Sequence, residues 1–95
     1  MARFRINNGF PNTRNNGCFL AGILLSGEIQ KGDLLILKNG IKVPIDKVEQ
    51  IIIKGFNNRY SLEISETNSK LIAWFKYYGK EIEIEKKVPP NPKIN

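Results

Sequence analysis

Residues 17–37 read GCFLAGILLSGEIQKGDLLIL, two apolar runs separated by a polar turn with a glycine at each end. The first run, Gly17 to Ser26, is rich in large aliphatic residues and reads as one long strand. Gly27 opens a turn that Gly32 closes, and Leu34 to Leu37 forms the next strand. Because side chains alternate along a strand, Leu20, Gly22 and Leu24 share one face, and Phe19, Ala21, Ile23 and Leu25 share the other.

The same β reading extends in both directions. Asn39-Gly40, between Leu34–Leu37 and Ile41–Ile45, is the strongest hairpin signal, since both residues accept positive φ in a type I′ turn. Ile41, Val43 and Ile45 share a parity that Val48 breaks, which predicts a bulge or bend across Asp46-Lys47. Upstream, Ala2 to Ile6 alternates basic and apolar residues as a strand does, and Asn7 to Asn16, with Gly9, Pro11 and several asparagines, reads as a loop. Downstream, Gly55 to Arg59 reads as a polar loop. Tyr60–Ile64, Leu71–Tyr77 and Glu81–Glu85 read as strands, with Ile82 and Ile84 facing inward. Short strands, six or seven of them at close spacing without an amphipathic helix, predict an all-β fold, and a small closed six-stranded barrel over residues 1–88 is expected. The proline-rich end VPPNPKIN predicts a flexible tail over 89–95.

Composition narrows the function. At 95 residues the chain has core enough for one domain, and no apolar run approaches the roughly 18 residues of a membrane span. No secretory signal is recognisable, so a cytoplasmic location is expected and a membrane is not an expected partner. Cys18 is the single cysteine and histidine is absent, which removes the common nucleophile–base pairs and the thiolate and imidazole metal ligands. No enzyme activity, cofactor or metal is expected. The net charge is +6. Residues 1–27 contribute +3 through Arg3, Arg5 and Arg14 without an acid. Such a balance suits RNA, an anionic membrane surface or an acidic protein partner.

The register of Gly17, Gly22, Gly27, Gly32 and Asp33, with Val43, Ile45, Val48 and Glu49 after it, resembles domain II of translational GTPases of the elongation factor Tu type. The resemblance implies a barrel in which Leu20, Gly22 and Leu24 face the core, and a setting among the RNA and ribonucleoproteins of translation. It implies no nucleotide binding, because no G-x-x-x-x-G-K-[ST] loop is present. Where the family carries polar side chains for the tRNA acceptor end, this chain has Ile23, Leu25 and Ser26.

Two candidate sites follow. For RNA they are Arg3 and Arg5 on the first strand with Lys76, Tyr77 and Tyr78 in the aromatic run WFKYY, where a base stacks on a ring beside a cation. For a protein partner or a homodimer they are Phe19, Ile23 and Leu25, unless the Asn7–Asn16 loop covers them with Phe10 as its anchor. Glu81, Glu83 and Glu85 share a strand face at about 7 Å spacing and read as a solvated edge. The function expected is a non-catalytic binding module, for RNA or a ribonucleoprotein, with a small inhibitor or immunity-type protein as the alternative.

Overall fold

A computed structural model of the chain describes residues 2–87. The tail expected over 89–95 lies outside the described residues, as does Val88. The strands are β1 (Ala2–Pro11), β2 (Cys18–Ser26), β3 (Leu34–Ile36), β4 (Lys42–Pro44), β5 (Lys47–Gln50), β6 (Arg59–Ile64) and β7 (Glu81–Glu85). All pairings are antiparallel, in one seven-stranded sheet of order β4-β3-β7-β1-β2-β6-β5. The fold is all-β, with one helix of six residues, α1 (Glu66–Leu71).

Two parts of the barrel expectation change. Among the described residues there are seven strands instead of six, and the hydrogen-bond ladder is open, since β4 and β5 end it on either side and do not pair. These two edges are consecutive in the chain, separated by Ile45 and Asp46. Here the backbone passes from one edge to the other: Ile45 N–H donates to Asp33 O at 2.9 Å and Asp46 N–H to Glu63 O at 2.8 Å. The parity break at Val48 is this passage. The order also moves Glu81, Glu83 and Glu85 from an expected edge to the sheet interior, because β7 lies between β3 and β1. Glu81 pairs with Arg3 and Glu85 with Lys42 on the outer face, and Glu83 between them is exposed.

β1 runs further than its sequence suggests. Asn7 is passed over in the pairing between Ile6↔Gly22 and Asn8↔Ala21, and the strand continues through Phe10↔Phe19 and Pro11↔Cys18. The bulge takes up the polar asparagines without ending the ladder. The loop is therefore Asn12 to Gly17, closed by Asn12 Oδ1 accepting from Arg14 N and Asn15 Oδ1 accepting from Gly17 N. The Asn39-Gly40 turn has the expected positive φ at both residues, 70° and 76°. Its loop is Lys38–Gly40, a short 3₁₀ turn closed by Leu37 N–H to Ile41 O at 2.8 Å, instead of the two-residue type I′ form.

The core collects one parity from nearly every strand: Phe4, Ile6, Leu20, Leu35, Val43, Leu62, Ile64 and Ile84 are buried, with Ile45 between β4 and β5 and Trp74 beyond α1. Gly22 belongs to this face. A Cβ there would collide with the Arg5 carbonyl oxygen and lie 2.7 Å from the Phe4 ring, so β2 is held against β1 by the absence of a side chain. Among the described residues no helix is long and apolar enough to cross a membrane.

Candidate nucleic-acid interface

The aromatic run lies on helical turns where a strand was expected over Leu71–Tyr77. Ser65 caps α1 by accepting from Asn68 N–H at 3.3 Å, Lys70 pairs with Glu66 one turn back, and a 3₁₀ turn follows at Trp74–Tyr77. Ser65 before Glu66 and Asn68 is the capping signal that marks this start. Three residues per 3₁₀ turn place Trp74 and Tyr77 on one side, where strand alternation would separate them. Their ring centroids are 6.0 Å apart and both pack on the core. Trp74 is buried and donates its indole N–H to Asn68 O at 3.2 Å. Phe75 points to water at 67% exposure, and Tyr78 follows at 37% with its hydroxyl against Gly9.

Beside this turn lies a groove of about 280 Å³, lined by Lys38, Lys76, Lys80, Tyr77 and Glu81 with the aliphatic floor of Ile36, Leu37 and Ile82. Glu81 is engaged by Arg3, whose Nη2 donates to it at 3.1 Å. None of the three lysines takes part in an ion pair among the described residues. The groove therefore presents positive charge over one half-buried phenol ring. Of the RNA candidates, Arg3, Lys76 and Tyr77 meet here through Glu81. Arg5 sits on β1 opposite both Glu81 and Ile23. Tyr78 lies on the other side of the turn, in an apolar trough with Phe10, Phe75 and Cys18. Lys38 and Lys80 are groove residues that the sequence reading missed, since only the pairing of β3 with β7 brings them together.

The second candidate face resolves differently along its length. Phe10 does not fold over it: Phe10 is 51% exposed and stands opposite Phe19 in the register of β1 and β2. The Asn12–Asn15 loop lies beside Phe19, with Lys47, Glu49 and Glu63 across a polar cavity. Ile23 is half-buried, with Arg5 its neighbour on β1 and Arg59 its neighbour on β6. Aliphatic stems of such arginines cover apolar surface while their heads stay wet. Leu25 is skipped in the pairing between Arg3↔Ser26 and Phe4↔Leu24 and is 39% exposed.

The loop expected to be polar at Gly55–Arg59 is the end of a hairpin with an apolar tip. Ile52, Ile53 and Phe56 are 85%, 42% and 53% exposed, and the Arg59 guanidinium lies 4.8 Å from the Phe56 ring centroid. Burial pushes the Cys18 thiol up from its ordinary pKa, an effect that a hydrogen bond with Ser69 partly opposes.

Comparison of the chain with protein-family models, with curated proteins and with solved structures returns no match.

Proposed function

We propose that this chain is a non-catalytic binding module for RNA or a ribonucleoprotein, and that it holds single-stranded RNA in the groove of Lys38, Lys76 and Lys80. The carrying observation is that three lysines without carboxylate partners among the described residues converge beside the Tyr77 ring, while the single lining acid, Glu81, is paired with Arg3. Phosphates meet the lysines, with Arg3 and Arg5 extending the cationic track along β1. Phe75 and Tyr78, exposed on the other side of the Trp74–Tyr77 turn, offer stacking surfaces for bases of a strand that passes round it. A translation-factor domain II barrel, with closure carried through the β4–β5 passage at Ile45-Asp46, is the architecture this reading assumes, in a cytoplasmic setting.

The test is anisotropy of a labelled single-stranded RNA titrated with the protein at several salt concentrations. With three to five phosphates neutralised, log affinity falls with log salt at a slope of about −2 to −3.5. Salt-independent binding, or none at micromolar protein, removes the reading.

A second reading rests on Leu25, a large aliphatic left at a bulge on the open face of β2. There the chain is a protein-interaction module, as a small inhibitor, an immunity-type protein or a homodimer, that buries Phe19, Ile23 and Leu25. Sedimentation of the free protein, and of its Leu25→Lys variant, tests it.

A further inference from the structure

The β5–β6 hairpin ends in the sequence Ile51-Ile-Ile-Lys-Gly-Phe56, and its tip is an exposed apolar surface outside the groove. Ile52, Ile53 and Phe56 project from it, and Leu25 stands alongside because β2 is tied to the hairpin by Leu24 N–H to Asn58 O at 2.8 Å. The tip is ordered by its own hydrogen bonds. Phe56 N–H donates to Ile53 O at 3.0 Å around Lys54-Gly55, where Gly55 takes φ of 86°, and Ile51 N–H donates to Arg59 O at 2.8 Å. Gln50 Nε2 donates to Asn57 O at 2.8 Å. These three bonds hold the turn in shape, and the remaining backbone N–H groups of the turn stay available to water or to headgroup oxygens at the depth of a bilayer interface.

Charge at the tip has one sign. Lys54 stands in the turn and Arg59 at its base, and the sequence from Gln50 to Leu62 contains no carboxylate. The Arg59 Nε is buried without a hydrogen-bond partner among the described residues, and its guanidinium leans on the Phe56 ring.

The geometry points to this tip as a docking surface for an anionic lipid bilayer, with Ile52, Ile53 and Phe56 entering the headgroup–acyl boundary while Lys54 and Arg59 meet lipid phosphates. A projecting turn suits a deformable surface, and the run of cations without acids complements an anionic leaflet. The absence of a span-length apolar segment bears on crossing a membrane, and this surface lies on one. The proposal does not depend on the RNA reading, since it uses none of the groove residues.

Flotation with vesicles of phosphatidylcholine alone, and with phosphatidylglycerol added, tests it. The protein floats with the mixed vesicles and stays behind with the neutral ones. Ile52→Ser and Phe56→Ser each weaken binding by about tenfold or more. Lys54→Glu weakens it as well, and unchanged melting temperatures show that the variants fold. An Ile52→Trp variant shifts its emission to shorter wavelength on mixed vesicles. Failure to float with mixed vesicles overturns the proposal, as does binding that survives both serine substitutions. Capture of an acidic protein that Ile52→Ser abolishes, without vesicle binding, overturns it in favour of a protein partner.

Discussion

Asp33 and Lys86, 53 residues apart, form an ion pair of 3.1 Å in which the carboxylate is buried and the ammonium is half in water. The same carboxylate accepts from Gln30 N–H at 2.9 Å and from Lys87 N–H at 3.3 Å, so it closes its own turn and binds the end of β7 to it. Next to it, Gly32 N–H donates to Ile45 O at 2.8 Å and Asp33 O accepts from Ile45 N–H. One Gly-Asp step thus joins the β2–β3 turn, the end of β7 and the β4–β5 passage.

Asp33→Ala should therefore cost about 2–4 kcal/mol, because it strands two backbone donors as well as a cation. Glu81→Ala removes an ion pair that is nearly half exposed on both sides and should cost less than about 1 kcal/mol. Thermal melting of the two variants checks the contrast. Equal losses would mean that Asp33 is no more than another surface partner.

Gly22→Ala should destabilise by about 1–3 kcal/mol, since the added methyl meets the Arg5 carbonyl and the Phe4 ring. Denaturant unfolding measures it. A neutral result would show that β1 and β2 can separate without loss.

This glycine indicates how much of the fold is legible in the sequence. Gly22, Gly27, Gly32 and Asp33 mark close approach, turns and an anchor, all local demands that a residue type announces. The first half of β1, Ala2 to Ile6, is legible, but its continuation to Pro11 is hidden because the bulge at Asn7 and the polar residues after it look like a loop; cross-strand pairing with β2 overrides that local preference. The Trp74–Tyr77 turn is hidden for the opposite reason. The short apolar and aromatic run Leu71–Tyr77 mimics a buried strand, and the Ser65 cap upstream signals only the helix before it. The lysine groove is least legible of all, because Lys38 and Lys80 are distant in sequence and meet only through the β3–β7 ladder.

Cys18 should react slowly with iodoacetamide near neutral pH, and faster once the protein is unfolded. Burial raises its pKa, so the folded state favours the neutral thiol. The sign for stability follows: this contribution is fully present below the unfolded thiol pKa of about 8.5 and is lost as pH rises through the higher folded value. Alkylation rates of the native and denatured chain check it. Equal rates would mean that the thiol is not desolvated.

Reversing charge in the groove separates the two functional readings. Lys76→Glu with Lys80→Glu should lower RNA affinity by tenfold or more and flatten its salt slope by about 1.4, as two single-strand phosphate contacts are lost. Phe75→Ala should cost about 1–3 kcal/mol of binding if a base stacks there. Both changes lie on exposed side chains and should leave the melting temperature nearly unmoved. Leu25→Lys is the counterpart on the other face. It is a better probe than Ile23→Lys, because a lysine between Arg5 and Arg59 would add like-charge repulsion across the strands and confuse stability with association. At its bulge, Leu25→Lys should leave both stability and RNA affinity intact. Loss of self-association or of partner binding in that variant, with the groove variants silent, would transfer the function from the lysines to the β2 face.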